Sequence, residues 1–239
     1  MKIKISRSIF PNFFTLLNAF SGFLSIIYAS KGEYQTSIYL IAFAAIFDAL
    51  DGMVARLTKS CSEFGVELDS LADSISFGAA PAYLVYKTAL FEYGYLGLII
   101  SALPLLFGIY RLARFNVDLD NFDKTVFYGL PIPFQAITTA IYIYCFYPFS
   151  ELHADLLIAL ILLLCFLMIS KIKYPVLPKL TAKNLIKTPI LTSYIILSLI
   201  TVLIWGKLFI FISLITFVII GIIKAIYFSL FLKTKTQKV

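Results

Sequence analysis

Charge is scarce in this chain of 239 residues: 14% of them are Asp, Glu, Lys or Arg, against about 25% in ordinary soluble domains. Cysteine is scarce too. Cys61, Cys145 and Cys165 stand apart with no CxxC spacing, which excludes a disulfide framework and a thiolate metal site and leaves them as small apolar packing residues. Histidine and tryptophan occur once each, as His153 and Trp205. There is no low-complexity linker and no separate basic module, so no nucleic-acid partner is expected. What fills the chain is apolar: 61% of residues are hydrophobic and the mean hydropathy is +0.94. A soluble domain of this length has no core large enough for that surface, so the bilayer is the solvent, and soluble-enzyme, disordered and secreted-scaffold classes fall away.

Crossing the hydrocarbon takes about 20 apolar residues as helix, with every backbone group paired internally. Eight runs qualify, at roughly 9–29, 35–56, 69–90, 95–113, 131–149, 155–171, 188–205 and 208–231. They are continuously apolar without period-two alternation, which argues against a β-barrel. The first run carries Asn12 and Asn18 and lacks an A-x-A-like site, so it does not read as a cleavable signal. Lys2, Lys4, Arg7, Arg56, Lys59, Arg111, Arg114, Lys124, Lys171, Lys173, Lys179, Lys183, Lys187, Lys233, Lys235 and Lys238 fall on one side of these runs; only Lys31, Lys87 and Lys207 fall on the other, and Lys224 lies within the last. The expectation is an all-α, polytopic membrane helix bundle of about eight transmembrane helices in the cell membrane, with both termini cytoplasmic. The net charge of +7 then reads as topology and attraction to anionic lipid. His153 falls on the outer side with no metal role, Trp205 reads as an interfacial anchor, and Lys224 snorkels.

Carboxylates are nearly absent from the runs, and four of the exceptions cluster. Asp48 and Asp51 end the second run; Asp69 and Asp73 open the third. Spacings of three and four put each pair on one helical face, and the short connection 57–68 folds one helix back on the other. An intramembrane charge costs about 2.5–3.5 kcal/mol, and four together repel. A hard divalent cation (Mg²⁺, Mn²⁺ or Ca²⁺) compensates them, because all-oxygen ligands suit it and open positions remain for phosphate oxygens. Gly52 and Ala55, one turn apart, admit a flat ligand or another helix close to the backbone. Arg56 follows with a fork suited to phosphate. Acids confined to one face, with no internal repeat, set a transferase apart from the alternative of a cation transporter.

In order, these residues read Asp48-x-x-Asp51-Gly52-x-x-Ala55-Arg56, eight residues, Gly65, three residues, Asp69, three residues, Asp73. Every fixed position resembles the signature of the CDP-alcohol phosphotransferase family. The resemblance implies a membrane core of six helices, usually homodimeric, in which a metal-bound CDP-linked donor passes its phosphatidyl-type group to an alcohol and releases CMP. Residues 68–81 (Leu68 to Pro81), Arg111-Leu-Ala-Arg114-Phe115-Asn116, Gly129-Leu-Pro131-Ile-Pro133 and Pro11-Asn12-Phe-Phe-Thr15-Leu-Leu-Asn18 are similar to the phosphatidylserine synthase branch, including its ether-lipid counterpart, the archaetidylserine synthases.

From that resemblance follow the expected roles. The chain is a single membrane-embedded phosphatidyltransferase domain over 1–239, with a motif-bearing core at about 8–150 and additional helices at about 151–239. Asp48, Asp51 and Asp69 hold a divalent cation on the donor's diphosphate, with Asp73 completing the cluster or holding a second one. Asp73 is the general base. Asn18, Gly52, Ala55, Arg56, Thr58, Ser62 and Gly65 line the CDP-lipid pocket. L-serine needs a cation for its carboxylate, and Arg111 and Arg114, three apart, are the candidates. Inositol phosphate or glycerol phosphate is the alternative acceptor, and the site faces the cytoplasm.

Overall fold

The computed structural model describes residues 8–118, 127–170, 172–174 and 206–231. α1 (Ile9–Ser30) and α2 (Tyr34–Leu57) are joined by a three-residue turn and pack on one another. The turn closes because Gly32 takes a left-handed φ of 81°, which lets its own N–H reach the Ala29 carbonyl and that of Glu33 reach Tyr28. The buried face of α1 is small and polar: Thr15, Asn18, Ser21, Gly22, Ser25 and Ala29. Phe10, Phe13, Leu16, Phe20 and Phe23 point outward instead. That inversion is what a lipid solvent asks for, since small residues let backbones approach and buried hydroxyls tie helices together. Ser25 Oγ, for example, meets Ser37 Oγ at 2.8 Å and donates to the Ser37 carbonyl at 3.0 Å.

After a short loop, α3 (Glu63–Asp73) passes into a π-helical turn (Ser74–Ala79), then α4 (Ala80–Val85), a second π turn (Tyr86–Leu90) and a 3₁₀ turn (Phe91–Tyr93). Pro81 supplies the reason for the first π turn: it has no N–H for the Phe77 carbonyl four residues earlier, so the ladder widens there. Gly94 (φ 56°) then reverses the chain, and a Cβ on Gly97 would overlap the Leu90 carbonyl. α5 (Gly94–Asp118) returns along the π turn that follows Asp73. Gly78 takes Leu105 at close range, and a Cβ on Gly108 would overlap Ile132, the first residue of α6 (Ile132–Phe146). The Tyr142 hydroxyl donates to the His153 carbonyl at 2.8 Å, linking α6 to α7 (Glu151–Ile169).

By their internal contacts the residues form two compact units, Met1–Phe122 with Pro131–Ile169, and Asp123–Leu130 with Ser170–Val239. Within the second unit, β1 (Phe127–Tyr128) pairs antiparallel with β2 (Lys173–Tyr174), and α8 spans Lys207–Phe231. This two-residue ladder is the sole strand pairing among the described residues.

Ile9–Ser30, Tyr34–Leu57 and the helical run 63–117 are long and apolar enough to cross a membrane, the mark of an integral membrane protein. Helices coincide with seven of the eight apolar runs. The eighth, 188–205, lies outside the described residues, as do Trp205, Lys124, Lys171, Lys179, Lys183, Lys187 and both chain ends. The third helix begins at Glu63 rather than near 69. Its start carries Glu63 in the first turn and Glu67 just after it, so it is too polar to register as part of an apolar run.

Candidate metal and nucleotide site

The site is built where α2 ends and α3 begins. α2 closes in a Schellman arrangement: Ser60 N–H reaches the Ala55 carbonyl at 3.0 Å and Lys59 N–H the Arg56 carbonyl at 3.3 Å. Lys59 occupies the left-handed position (φ 52°) where glycine is usual. Thr58 Oγ1 holds the turn from inside, donating to the Val54 carbonyl at 2.8 Å and meeting Ser60 Oγ at 2.6 Å. Ser62 then caps α3, accepting from Gly65 N–H at 3.1 Å. Asn116 pins the other side of α3, donating from Nδ2 to Ser70 Oγ at 3.0 Å and to Glu67 Oε1 at 3.2 Å.

This turn brings the acids together. One carboxylate oxygen each from Asp48, Asp51 and Asp69 lie within 4.8 Å of one another. Asp73, buried, interacts electrostatically with all three. Asp51 Oδ2 and Asp69 Oδ1 are buried without a hydrogen-bond partner. A buried, unpaired carboxylate oxygen is costly, and several converging leave a cation as the compensation. The size agrees: a dication with oxygens at about 2.0–2.6 Å spans roughly 4–5 Å between opposite ligands. The donor set and its spacing thus fit a divalent cation.

Beside the acids is a cavity of about 180 Å³. α1 contributes Pro11, Asn12 and Thr15; α2 contributes Asp51, Gly52, Ala55 and Arg56; the turn contributes Ser60, Cys61 and Ser62; α3 contributes Gly65, Val66 and Asp69. Gly52, Ala55, Arg56, Ser62 and Gly65, expected in the pocket, therefore line it. Thr58 lies behind the wall and shapes the turn. Cys61 is exposed at the cavity rather than packed in apolar surroundings, whereas Cys165 is buried as expected. Thr15, Asn12 and Ser60 were given no role by the sequence, which pointed on α1 to Asn18 alone; which α1 residues close that wall is a tertiary fact.

Asn18 stands elsewhere. It is fully buried, and its Nδ2 donates to Asp73 Oδ1 at 3.1 Å. Arg111 is 7% exposed, interacts electrostatically with Asp73, lies over the Phe115 ring, and has a buried Nε without a partner. The Arg114 guanidinium turns instead to the last turn of α7, donating to the Ile169 carbonyl at 2.9 Å and the Met168 carbonyl at 3.4 Å. Two arginines that look equivalent by spacing thus face different groups. His153, away from these acids in sequence and helix, pairs with Ser150 Oγ at 2.8 Å and stacks on Phe146.

Comparison with known proteins agrees with this geometry. A family model described as CDP-alcohol phosphatidyltransferase matches residues 8–169. The chain is 42% identical over 170 residues to a CDP-diacylglycerol–serine O-phosphatidyltransferase of Helicobacter pylori, covering 70% of this chain and 72% of that one. It is 43% identical over 168 residues to an archaetidylserine synthase of Methanothermobacter thermautotrophicus, covering 69% of each. A Bacillus subtilis CDP-diacylglycerol–serine O-phosphatidyltransferase is 33% identical over 176 residues, covering 73% of this chain and 94% of that one.

Proposed function

The chain belongs to the CDP-alcohol phosphatidyltransferase family, and from that premise we propose that it transfers a phosphatidyl-type group from a CDP-linked lipid to the hydroxyl of L-serine, releasing CMP. The observation that carries this reading is the meeting of Asp48, Asp51 and Asp69 beside a cavity walled by Gly52, Ala55 and Arg56. The names of its relatives support serine as the acceptor. The lipid backbone is diacylglycerol or its ether analogue.

A divalent cation held by Asp48, Asp51 and Asp69, with Asp73 completing the set or holding a second ion, would supply Lewis-acid charge to the diphosphate; Mg²⁺ or Mn²⁺ is the expected ion. Arg56 clamps a phosphate oxygen, while Gly52, Ala55, Ser62 and Gly65 leave room for the nucleotide against the backbone. Asp73 takes the proton of the serine hydroxyl. The serine oxygen forms its bond to the lipid-bearing phosphorus as the bond from that phosphorus to the CMP oxygen breaks. Arg111, facing Asp73, receives the serine carboxylate. The protein works as a homodimer of membrane-embedded chains, each a single domain of about eight spans, with both termini and the site on the cytoplasmic side.

The deciding experiment presents the purified chain, in liposomes, with CDP-diacylglycerol or its ether analogue and Mg²⁺ or Mn²⁺. CMP release and lipid product are followed with L-serine, inositol phosphate, glycerol phosphate or ethanolamine as acceptor. Serine-dependent release that is lost on chelation is expected; release driven by one of the other alcohols reassigns the acceptor, and cation flux without CMP release sinks the reading. A sharper test separates the arginines. Arg111→Ala removes a charge-assisted contact and is expected to raise the KM for serine about tenfold or more, with the KM for the donor little changed. Arg114→Ala is expected to lower the thermal midpoint instead, because two α7 carbonyls lose a cationic donor.

A further inference from the structure

Asn18 has one hydrogen-bonding arm in use and one idle. Its Nδ2 holds Asp73 Oδ1 at 3.1 Å, while its Oδ1 is buried without any partner. With Nδ2 as the donor to Asp73, the amide oxygen is the atom turned away from that bond. The residue is also fixed from behind, because Ser76 Oγ donates to its backbone carbonyl at 2.7 Å. Asn18, Ser76 and Asp73 are all buried, so this is a locked constellation and not a surface rotamer. A buried amide oxygen left unpaired is costly. Such a vacancy beside a proton acceptor and a buried arginine has the chemistry of a place where a donor arrives.

We propose that Asn18 sets acceptor specificity: its free Oδ1 accepts a hydrogen bond from the ammonium group of an amino alcohol whose hydroxyl is presented to Asp73. The inference rests on the serine reading given above. It supplies the third point of a three-point fit: hydroxyl to Asp73, carboxylate to Arg111, ammonium to Asn18. The donor bond from Nδ2 occupies one Asp73 oxygen, so the other is the one left for the hydroxyl. Inositol phosphate and glycerol phosphate carry no ammonium, and they would leave the oxygen unpaired. A site built to bond a polar group rejects analogues lacking it far more strongly than an apolar pocket rejects a misfit.

The test uses the full chain in liposomes with CDP-diacylglycerol and Mg²⁺, comparing L-serine with 3-hydroxypropanoate, which keeps the hydroxyl and the carboxylate and lacks the amino group. The wild type is expected to favour serine in kcat/KM by about 10- to 100-fold, the scale of a lost hydrogen bond to a charged group. Asn18→Ala loses the Asp73 brace and is slower with both acceptors, yet its preference for serine is expected to collapse to within about threefold. Equal use of the two acceptors by the wild type would overturn the inference without requiring any variant to fold. An Asn18→Ala chain that keeps the full preference while needing more Mg²⁺ would also overturn it, placing the oxygen on the metal. If the wild type releases no CMP with serine, the proposed function itself fails and this inference with it.

Discussion

Asp73→Asn is expected to leave a chain that inserts and folds but releases CMP about 10²–10⁴-fold more slowly, the range lost with a general base. Asparagine preserves shape and can still meet Asn18, so the packing of α1 on the π turn has no reason to change. Asp69→Asn is expected to fall as steeply for a different reason. It takes one charged ligand from a set whose oxygens lie within 4.8 Å of one another, and loss of a single group that stabilises developing charge costs about 10²–10³-fold. The two are told apart by metal. Raising Mg²⁺ should recover part of the Asp69→Asn activity and little of the Asp73→Asn activity. Without metal, neither variant should be less stable than the wild type, because each removes one of four mutually repelling carboxylates. CMP release at the wild-type rate from either would refute the role given to that residue.

Much of this site is legible in the sequence because its elements are local. Spacings of three and four put Asp48 with Asp51 and Asp69 with Asp73 on shared helical faces, and a connection of a few residues turns the chain back so that these acids meet, although α3 packs on α1 rather than on α2. Gly52, Ala55, Arg56 and Gly65 come along on the same two helices. What the sequence conceals depends on distant partners or on backbone. Asn18 and Asp73 meet across 55 positions, so Asn18 reads as one more pocket residue until α1 is seen against the π turn. Arg114 finds two carbonyls at the end of α7, and carbonyls carry no side-chain signal at all. The π turn itself is legible only in hindsight, from the missing Pro81 N–H.

Gly22→Val is the second substitution with a large expected effect, and its cause lies away from the acids. A Cβ at Gly22 would overlap Ser76, meeting its Cα and Cβ as well as its hydroxyl. A backbone atom cannot swing aside, so α1 must move off the π turn. The same movement pulls Asn18 from Asp73 and breaks the 2.7 Å bond from Ser76 Oγ to the Asn18 carbonyl. Overpacking of this kind costs about 1–3 kcal/mol of stability. A displacement near 1 Å at a reacting group costs about 10²-fold in rate. Gly22→Val is therefore expected to lower the thermal midpoint and to lose about 10²-fold in kcat, while the KM for the CDP-lipid, which the proposed function places in the cavity lined by Asp51 and Arg56, changes less. Gly52→Ala is the contrast: the nearest atoms to its new Cβ belong to the Arg56 guanidinium, at 3.3 Å, the far end of a long side chain. That variant should fold like the wild type and act chiefly on the donor KM. Should Gly22→Val keep wild-type kcat, the contact between α1 and the π turn would not be what holds the base in place.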